Sequence, residues 1–346
     1  MDAGSFMLPQ WMYVAAKLDL PELLATESKT SAELGDLTKV DPDRIGRLLY
    51  ALEQRGYFRR SGADAGNPLS GPWSNTALSA TLMASHPNTI RPILLHWMED
   101  CYRPGGELLQ SMQENKCAFT LVNAPSHSSF FGDFLPAHPE RAKLFSDAMT
   151  ATSAFSDEAV CRDFDWSRFT KIVDVGGSNG SFLEKALRRH PKTRGVLFDL
   201  PNVIDEARRQ WSSREHTAAT QIEFAEGSFF DAETTPAVGD SEVVVLRNIL
   251  HDWPDEDCIR ILTNLRRNMH PAGRLVLVEL GLATNRRGHV LEQARSGVDM
   301  LMMTMFEGRE RTHAELTKLI QRAGYDLVQI AETRSVAQVL EAKPVV

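Results

Sequence analysis

The chain has little of what would hold it in a membrane, in an oxidising compartment or on nucleic acid. Only four of its 346 residues are cysteine. Cys101, Cys117, Cys161 and Cys258 stand far apart, form no CxxC pair and have no histidine at zinc-finger spacing. That argues against a metal site, so no metal is expected, and it suits a reducing compartment. No apolar run approaches the roughly 20 residues that span a bilayer. The opening "MDAGSFMLPQWMYVAAKLDLPELL" carries Asp2, Lys17, Asp19 and Glu22, unlike the basic start and pure apolar core of a secretory signal. A cytoplasmic protein without a membrane partner is expected. Positive charge is also scarce: 38 Lys and Arg against 46 Asp and Glu leave a formal net charge of −8, the wrong sign for a broad nucleic-acid surface.

What is present is ordinary for a globular protein, with 42% hydrophobic and 24% charged residues. The length suggests two domains, or one with an appendage. The first part reads as helices. "QWMYVAAKLDLPELLA" puts Trp11, Val14, Ala15 and Leu18 at helical spacing. Thr30 or Ser31 caps a short helix with Glu33 in its first turn, and Asp41-Pro42 starts the next. Ile45, Leu48, Leu49 and Leu52 form that helix's buried stripe. Gly56 ends it, and Tyr57-Phe58 begins a short strand. Two helices followed by a β wing, its tip in "SGADAGNPLSGP", make a winged-helix pattern. The second helix mixes Asp43, Arg44, Arg47, Glu53 and Arg55, whereas DNA recognition needs net positive reach. Dimerisation is therefore the expected use, with no nucleic-acid partner.

Residues 76–160 look helical again, with aromatic and methionine positions at Trp97, Met98, Phe131, Phe134, Phe145 and Met149. Beyond them, short apolar runs alternate with helical stretches: "KIVDV", "GVLF", "IEFA", "EVVVLR" and "RLVLVE". Alternation of this kind gives a parallel sheet covered by helices on both faces. "DLVQIAET" and "SVAQVLEA" are separated too briefly for a helical crossover, so they are expected to form an antiparallel hairpin.

"KIVDVGGSNGSFLEKAL" is a strand, a glycine-rich turn and a helix. Gly176, Gly177 and Gly180 permit a tight backbone and close approach by a ligand, and the helix start offers free N–H groups. The spacing is not GxGxxG, so dinucleotide binding has limited support. The next strand ends in Asp199, placed to accept the hydroxyls of a ribose.

Four motifs in order, "VDVGGSNG", "FDLPNVI", "LRNILHDWPDEDCIRIL" and "GRERTHAEL", closely resemble the S-adenosylmethionine-dependent small-molecule O-methyltransferases of the caffeate O-methyltransferase type. The resemblance covers nearly the whole chain. It implies an α/β fold: a Rossmann-like class I methyltransferase domain with a mostly parallel seven-stranded sheet and terminal antiparallel hairpin, preceded by a mainly α winged-helix domain that forms a homodimer. The expected boundaries are 1–110 for dimerisation, 111–160 for a helical linker at the acceptor pocket, and 161–346 for the methyltransferase domain. The cofactor implied is S-adenosyl-L-methionine, with S-adenosyl-L-homocysteine as product. Its expected binding residues are Asp174, Gly176, Gly177, Gly180, Asp199, Leu200, Ser228, Phe229 and Arg247. Ser228 stands where relatives usually carry Asp, Arg247 where Lys is common, and Ser178-Asn179 where Gly-Thr is usual.

The resemblance also makes His251 the general base. A neutral phenol has a pKa of about 10 and attacks poorly until a base takes its proton. The same resemblance places Glu279, Glu310 and Asp252 beside the ring, where a carboxylate can hold one tautomer. The acids 255–257 read more simply as charges at a helix N-terminus, with Pro254 at the first helical position and Cys258, Ile261, Leu262, Leu265 and Met269 as the buried stripe. In relatives, the stretches holding Phe145, Met149, Met300 and Met303 wall the acceptor, so a flat, apolar, aromatic small molecule is expected. Two alternatives remain at this point. One is an S-adenosylmethionine-binding enzyme doing pericyclic, hydroxylation or decarboxylation chemistry. The other is a non-enzymatic regulator.

Overall fold

A computed structural model describes residues 4–62, 66–67, 69–212, 221–282 and 290–346. The chain divides into two compact units, Met1–Arg103 with Pro139–Thr152, and Pro104–His138 with Ser153–Val346. The helix Pro139–Asp163 contributes to both, so the stretch 111–160 is divided between them.

In the first unit local chemistry sets the helix starts. The Thr30 hydroxyl accepts from the Glu33 amide at 3.3 Å, and the Glu33 carboxylate accepts from the Thr30 amide at 2.7 Å. This reciprocal pair opens the helix Ser31–Thr38. Asp41 caps the helix Pro42–Glu53 by accepting from the Arg44 amide at 3.1 Å. Ile45, Leu49 and Leu52 bury against Phe58 and Trp73, with Leu48 partly covered. β1 (Phe58–Arg60) pairs antiparallel with β2 (Trp73–Asn75). Residues 63–65 and 68 of the expected wing tip lie outside the described residues. The helix Met7–Lys17 departs from its expected stripe: Ala15 and Ala16 are buried, while Val14 is exposed. Side chains this small let neighbouring backbones approach, so the alanine face wins over the larger valine.

The second unit holds a seven-stranded sheet. Its strands are β3 (Lys171–Val175), β4 (Arg194–Asp199), β5 (Ile222–Glu226), β6 (Glu242–Arg247), β7 (Arg274–Glu279), β8 (Tyr325–Glu332) and β9 (Gln338–Pro344). Their order is β5-β4-β3-β6-β7-β9-β8. β3 to β7 run parallel, and β9 lies antiparallel between β7 and β8. The central strands are apolar on both faces because each face is covered. Val244 and Leu246 join one core cluster, and Val243 and Val245 the other. The helix Asp255–Arg267 buries Cys258, Ile261, Leu262 and Leu265. Pro254 caps it from one residue before its start, with an extended ψ of 160°, and Met269 is buried just beyond its end. Among the described residues, no helix is long and apolar enough to cross a membrane.

Candidate active site

Parallel strands deliver their loops to one edge, and the candidate residues leave the sheet there. β3 and β6 are neighbours, with Val175 paired to Leu246. The loops carrying Gly176 and His251 therefore start side by side.

The glycine loop is tight for steric reasons. Gly176 has a φ of +69°, and a Cβ there would meet Ile249 Cδ1 at 2.5 Å. A Cβ on Gly177 would lie 2.7 Å from Asp174 Cγ. Gly180, φ +75°, precedes the helix Ser181–Arg189, whose first amide donates to Asn179 Oδ1 at 3.1 Å. Asp199, at the end of β4, ties this loop down. Its carboxylate accepts from the Ser178 amide at 2.9 Å and from the Leu200 amide at 2.7 Å. Burial lifts its pKa to about 6, against the pull of those two bonds. Each oxygen keeps a lone pair for a further donor.

Asp174 lies beneath the loop, 1% exposed, and neither of its carboxylate oxygens has a hydrogen-bond partner. Burial raises its pKa to about 7, with Arg247 opposing. Arg247 does not stand free at the end of β6. Its Nη1 lies 3.1 Å from Asp157 Oδ1, and Lys185 donates to the other Asp157 oxygen at 3.1 Å. The Ser228 hydroxyl accepts from the Phe230 amide at 3.2 Å and so braces its own turn. Phe229 packs edge-on against Phe230 and Trp253 and lies 3.9 Å from where a Gly176 Cβ would stand. Unpartnered Asp174 oxygens, spare acceptor capacity on Asp199 and a cradle that admits no side chain fit a ligand with several donors.

His251 sits in a short 3-10 turn after β6, its side chain 12% exposed. Its Nδ1 donates to Glu310 Oε1 at 2.7 Å. An ionised carboxylate can only accept, so the Nδ1 proton is held, and Nε2 is the nitrogen that carries the lone pair whenever the ring is neutral. Glu279, buried at the end of β7, lies 3.9 Å from Nδ1. Its Oε1 accepts from the amides of Ile249 at 3.3 Å and Leu250 at 3.0 Å. Asp252 Oδ1 lies 3.6 Å from Nε2. Burial alone would depress the ring's pKa. Asp252, Glu310 and Glu279 reverse this and raise it to about 10. Burial in turn raises Asp252 and Glu279, each to about 7, with His251 opposing.

The segment Glu307–Thr312 builds this arrangement, and the sequence alone had not singled out two of its members. A Cβ on Gly308 would collide with the carbonyl of His251 and lie 2.6 Å from the Trp253 amide nitrogen. Arg311, 2% exposed, donates to the carbonyls of Leu250 and Trp253, each at 2.7 Å, and pairs with Asp255 at 2.8 Å. It thus clamps the turn on both sides of the histidine. Glu310 is itself anchored by its amide, which donates to Asp299 at 2.8 Å. The only local signal for Arg311 is a cation between an acid and the Thr312 helix cap.

His251, Glu279 and Glu310 are the set of ligand atoms, among the described residues, that could hold a metal, all within 4.8 Å of one another. Two ligands of one tetrahedral ion stand about 3.3 Å apart. The observed 2.7 Å between Nδ1 and Oε1 is a hydrogen bond instead. Of the expected acceptor-wall residues, Met300 is exposed and Met303 half-buried, whereas Met302 and Met305 are buried. Phe145 and Met149 belong to the first unit, where Phe145 packs edge-on against His96 at 5.3 Å.

Known proteins resemble this chain over nearly its whole length. A family described as O-methyltransferase domain matches residues 107–326, and one described as O-methyltransferase dimerisation domain matches residues 3–85. The chain is 33% identical to the 8-amino-8-demethylriboflavin N,N-dimethyltransferase of Streptomyces davaonensis, over 96% of this chain and 90% of that one. It is 31% identical to the phenazine O-methyltransferase PhzM of Lysobacter antibioticus, over 98% and 94%. The crystal structure of LaPhzM superposes with a TM-score of 0.90 at 30% identity, covering 99% of this chain and 97% of that one.

Proposed function

Because the chain belongs to the family of S-adenosylmethionine-dependent O-methyltransferases, we propose that it methylates a hydroxyl of a small aromatic metabolite, with His251 as general base. When bound, S-adenosylmethionine supplies a methyl group already activated on a sulfonium sulfur and leaves as S-adenosylhomocysteine. The glycine loop, Asp174, Asp199, Leu200, Ser228 and Phe229 would hold it. Arg247 would contribute from its pair with Asp157.

The observation that carries the reading is the buried His251–Glu310 bond of 2.7 Å, on a turn whose Ile249 touches the glycine loop. Glu310 keeps the proton on Nδ1, so Nε2 is the nitrogen that takes the acceptor's proton. Asp252, Glu310 and Glu279 stabilise the imidazolium that forms when Nε2 takes that proton. The dimerisation-domain match supports a homodimer. Four buried free cysteines support a reducing, cytoplasmic setting.

A second reading, methyl transfer to an aromatic amine, is favoured by the N,N-dimethyltransferase relative. Mass spectrometry of the full chain with labelled methyl donor and a panel of phenols and anilines separates the two. A label on oxygen is expected. A label on nitrogen alone would establish the second reading, and a product of unchanged mass would overturn both.

A further inference from the structure

Two further histidines of the second unit face each other, and methyl transfer uses neither. His127 precedes the π-helical segment Phe130–Phe134, and His138 is the residue before the helix Pro139–Asp163. Their Nε2 atoms lie 3.3 Å apart, and their rings cross edge-on with centroids 5.2 Å apart at 68°. Both are half-buried, so an ion can reach them. Phe134 packs against both rings, 5.3 Å from His127 and 4.7 Å from His138. The backbone around the pair is tied down. The His127 amide donates to the Asn123 carbonyl at 3.0 Å, and the His138 amide to that of Leu135 at 3.1 Å. Asp133 accepts from the amides of Ser128 at 2.8 Å and Ser129 at 3.0 Å. Its Oδ1 also stands 3.9 Å from His127 Nδ1. A carboxylate on that side favours the proton on Nδ1 and turns the Nε2 lone pair toward His138.

We propose that His127 and His138 form a two-imidazole site for a borderline divalent cation, zinc or copper(II), with solvent completing its coordination. The spacing of 3.3 Å is long for a hydrogen bond from a ring N–H. It is the separation of two nitrogens that each lie about 2.0–2.1 Å from one tetrahedral ion, the test that His251 Nδ1 and Glu310 fail. Imidazole suits zinc and copper, whereas calcium and magnesium need sets of oxygens. On binding, both rings carry their protons on Nδ1, and the ion replaces the proton that the two Nε2 atoms share. Asp133 is placed to steady the His127 ring in that state. The ion would close the loop from 127 to 138 and pin the segment carrying Phe131, whose ring stacks on Phe306 at 5.1 Å. Eleven positions separate the two histidines, a spacing outside the zinc-finger pattern. The inference does not depend on the proposed reaction.

The test is calorimetry of the full chain, free of any affinity tag, with zinc chloride, and electron paramagnetic resonance with an equimolar amount of copper(II). Zinc should bind at micromolar concentration and raise the melting temperature, as any ligand of the native state does. The copper spectrum should show coupling to two nitrogens. His127→Gln and His138→Gln should each weaken zinc binding about tenfold or more and remove one nitrogen's coupling, while His251→Ala keeps both. No zinc binding below millimolar concentration, or an affinity unchanged in both glutamine variants, would overturn the inference. So would zinc binding lost in His251→Ala, which would place the ion at the other cluster. The copper spectrum of the unaltered chain decides even if a variant fails to fold, since coupling to fewer than two nitrogens would overturn the site.

Discussion

Glu310 accepts from His251 Nδ1 at 2.7 Å, and both groups are held from the same segment that packs Gly308 against the histidine's own carbonyl. Acid and base are therefore positioned by one another's backbones, and the histidine's proton affinity is a property of that segment.

Glu310→Gln should expose this dependence. The carboxylates raise the ring's pKa, so removing one charge lowers it toward the ordinary value of about 6.5. The ascending limb of the pH–rate profile should move to lower pH, and the maximal rate should fall about tenfold because the imidazolium loses a stabilising partner. A limb that stays in place would mean Glu310 does not set the base.

Gly308→Ala should separate this segment from the cofactor loop. The added methyl has only backbone to push against, so the turn must shift. We expect kcat to drop by more than about tenfold, since small misplacements of a reacting group cost about that much or more. The dissociation constant for S-adenosylmethionine should stay within about twofold. Loss of cofactor binding equal to the loss of rate would contradict the division.

Asp174→Asn should change stability in a pH-dependent way. The folded carboxyl titrates near 7 and the unfolded one near its ordinary 3.8. Across that window the unfolded chain releases a proton that the folded chain keeps, so native stability falls as pH rises. The variant should be more stable to unfolding than wild type at pH 8, by up to a few kcal/mol, and differ much less at pH 5. An offset equal at both pH values would show that Asp174 is ionised in the fold.

Sedimentation at micromolar concentration should give a dimer. The dimerisation-domain match over residues 3–85 supports this expectation. A monomer would count against it, as would salt-sensitive binding to DNA.

Much of this architecture was legible because it is local. Apolar runs of four to six residues between helical stretches predict the strands from β3 to β7. A short turn predicts the terminal hairpin, and Thr30 with Glu33 and Asp41 with Pro42 predict two helix starts. His251 with Glu310 was legible through the resemblance, since 59 positions separate them. What stayed hidden depends on distant contacts. Gly308 reads as a loop glycine until the His251 peptide is seen against it. Arg311 reads as an ordinary charge before the Thr312 helix cap, yet it faces the carbonyls of Leu250 and Trp253. Arg247 reads as a cofactor cation, yet Asp157, from a helix 90 positions earlier, holds it. The π-helical segment Phe130–Phe134, whose Phe131 stacks on Phe306, leaves no mark in a 3.6-residue period.

The central claim is that His251 takes the acceptor's proton, and the pH dependence of methyl transfer by His251→Ala tests it most directly. With a phenolic acceptor, the variant should lose about 10²- to 10⁴-fold in kcat near neutral pH. It should still bind S-adenosylmethionine, and the deficit should shrink as rising pH ionises the phenol unaided. A variant that methylates at the full wild-type rate from about pH 6 to 9, below the phenol's own pKa of about 10, would contradict the account.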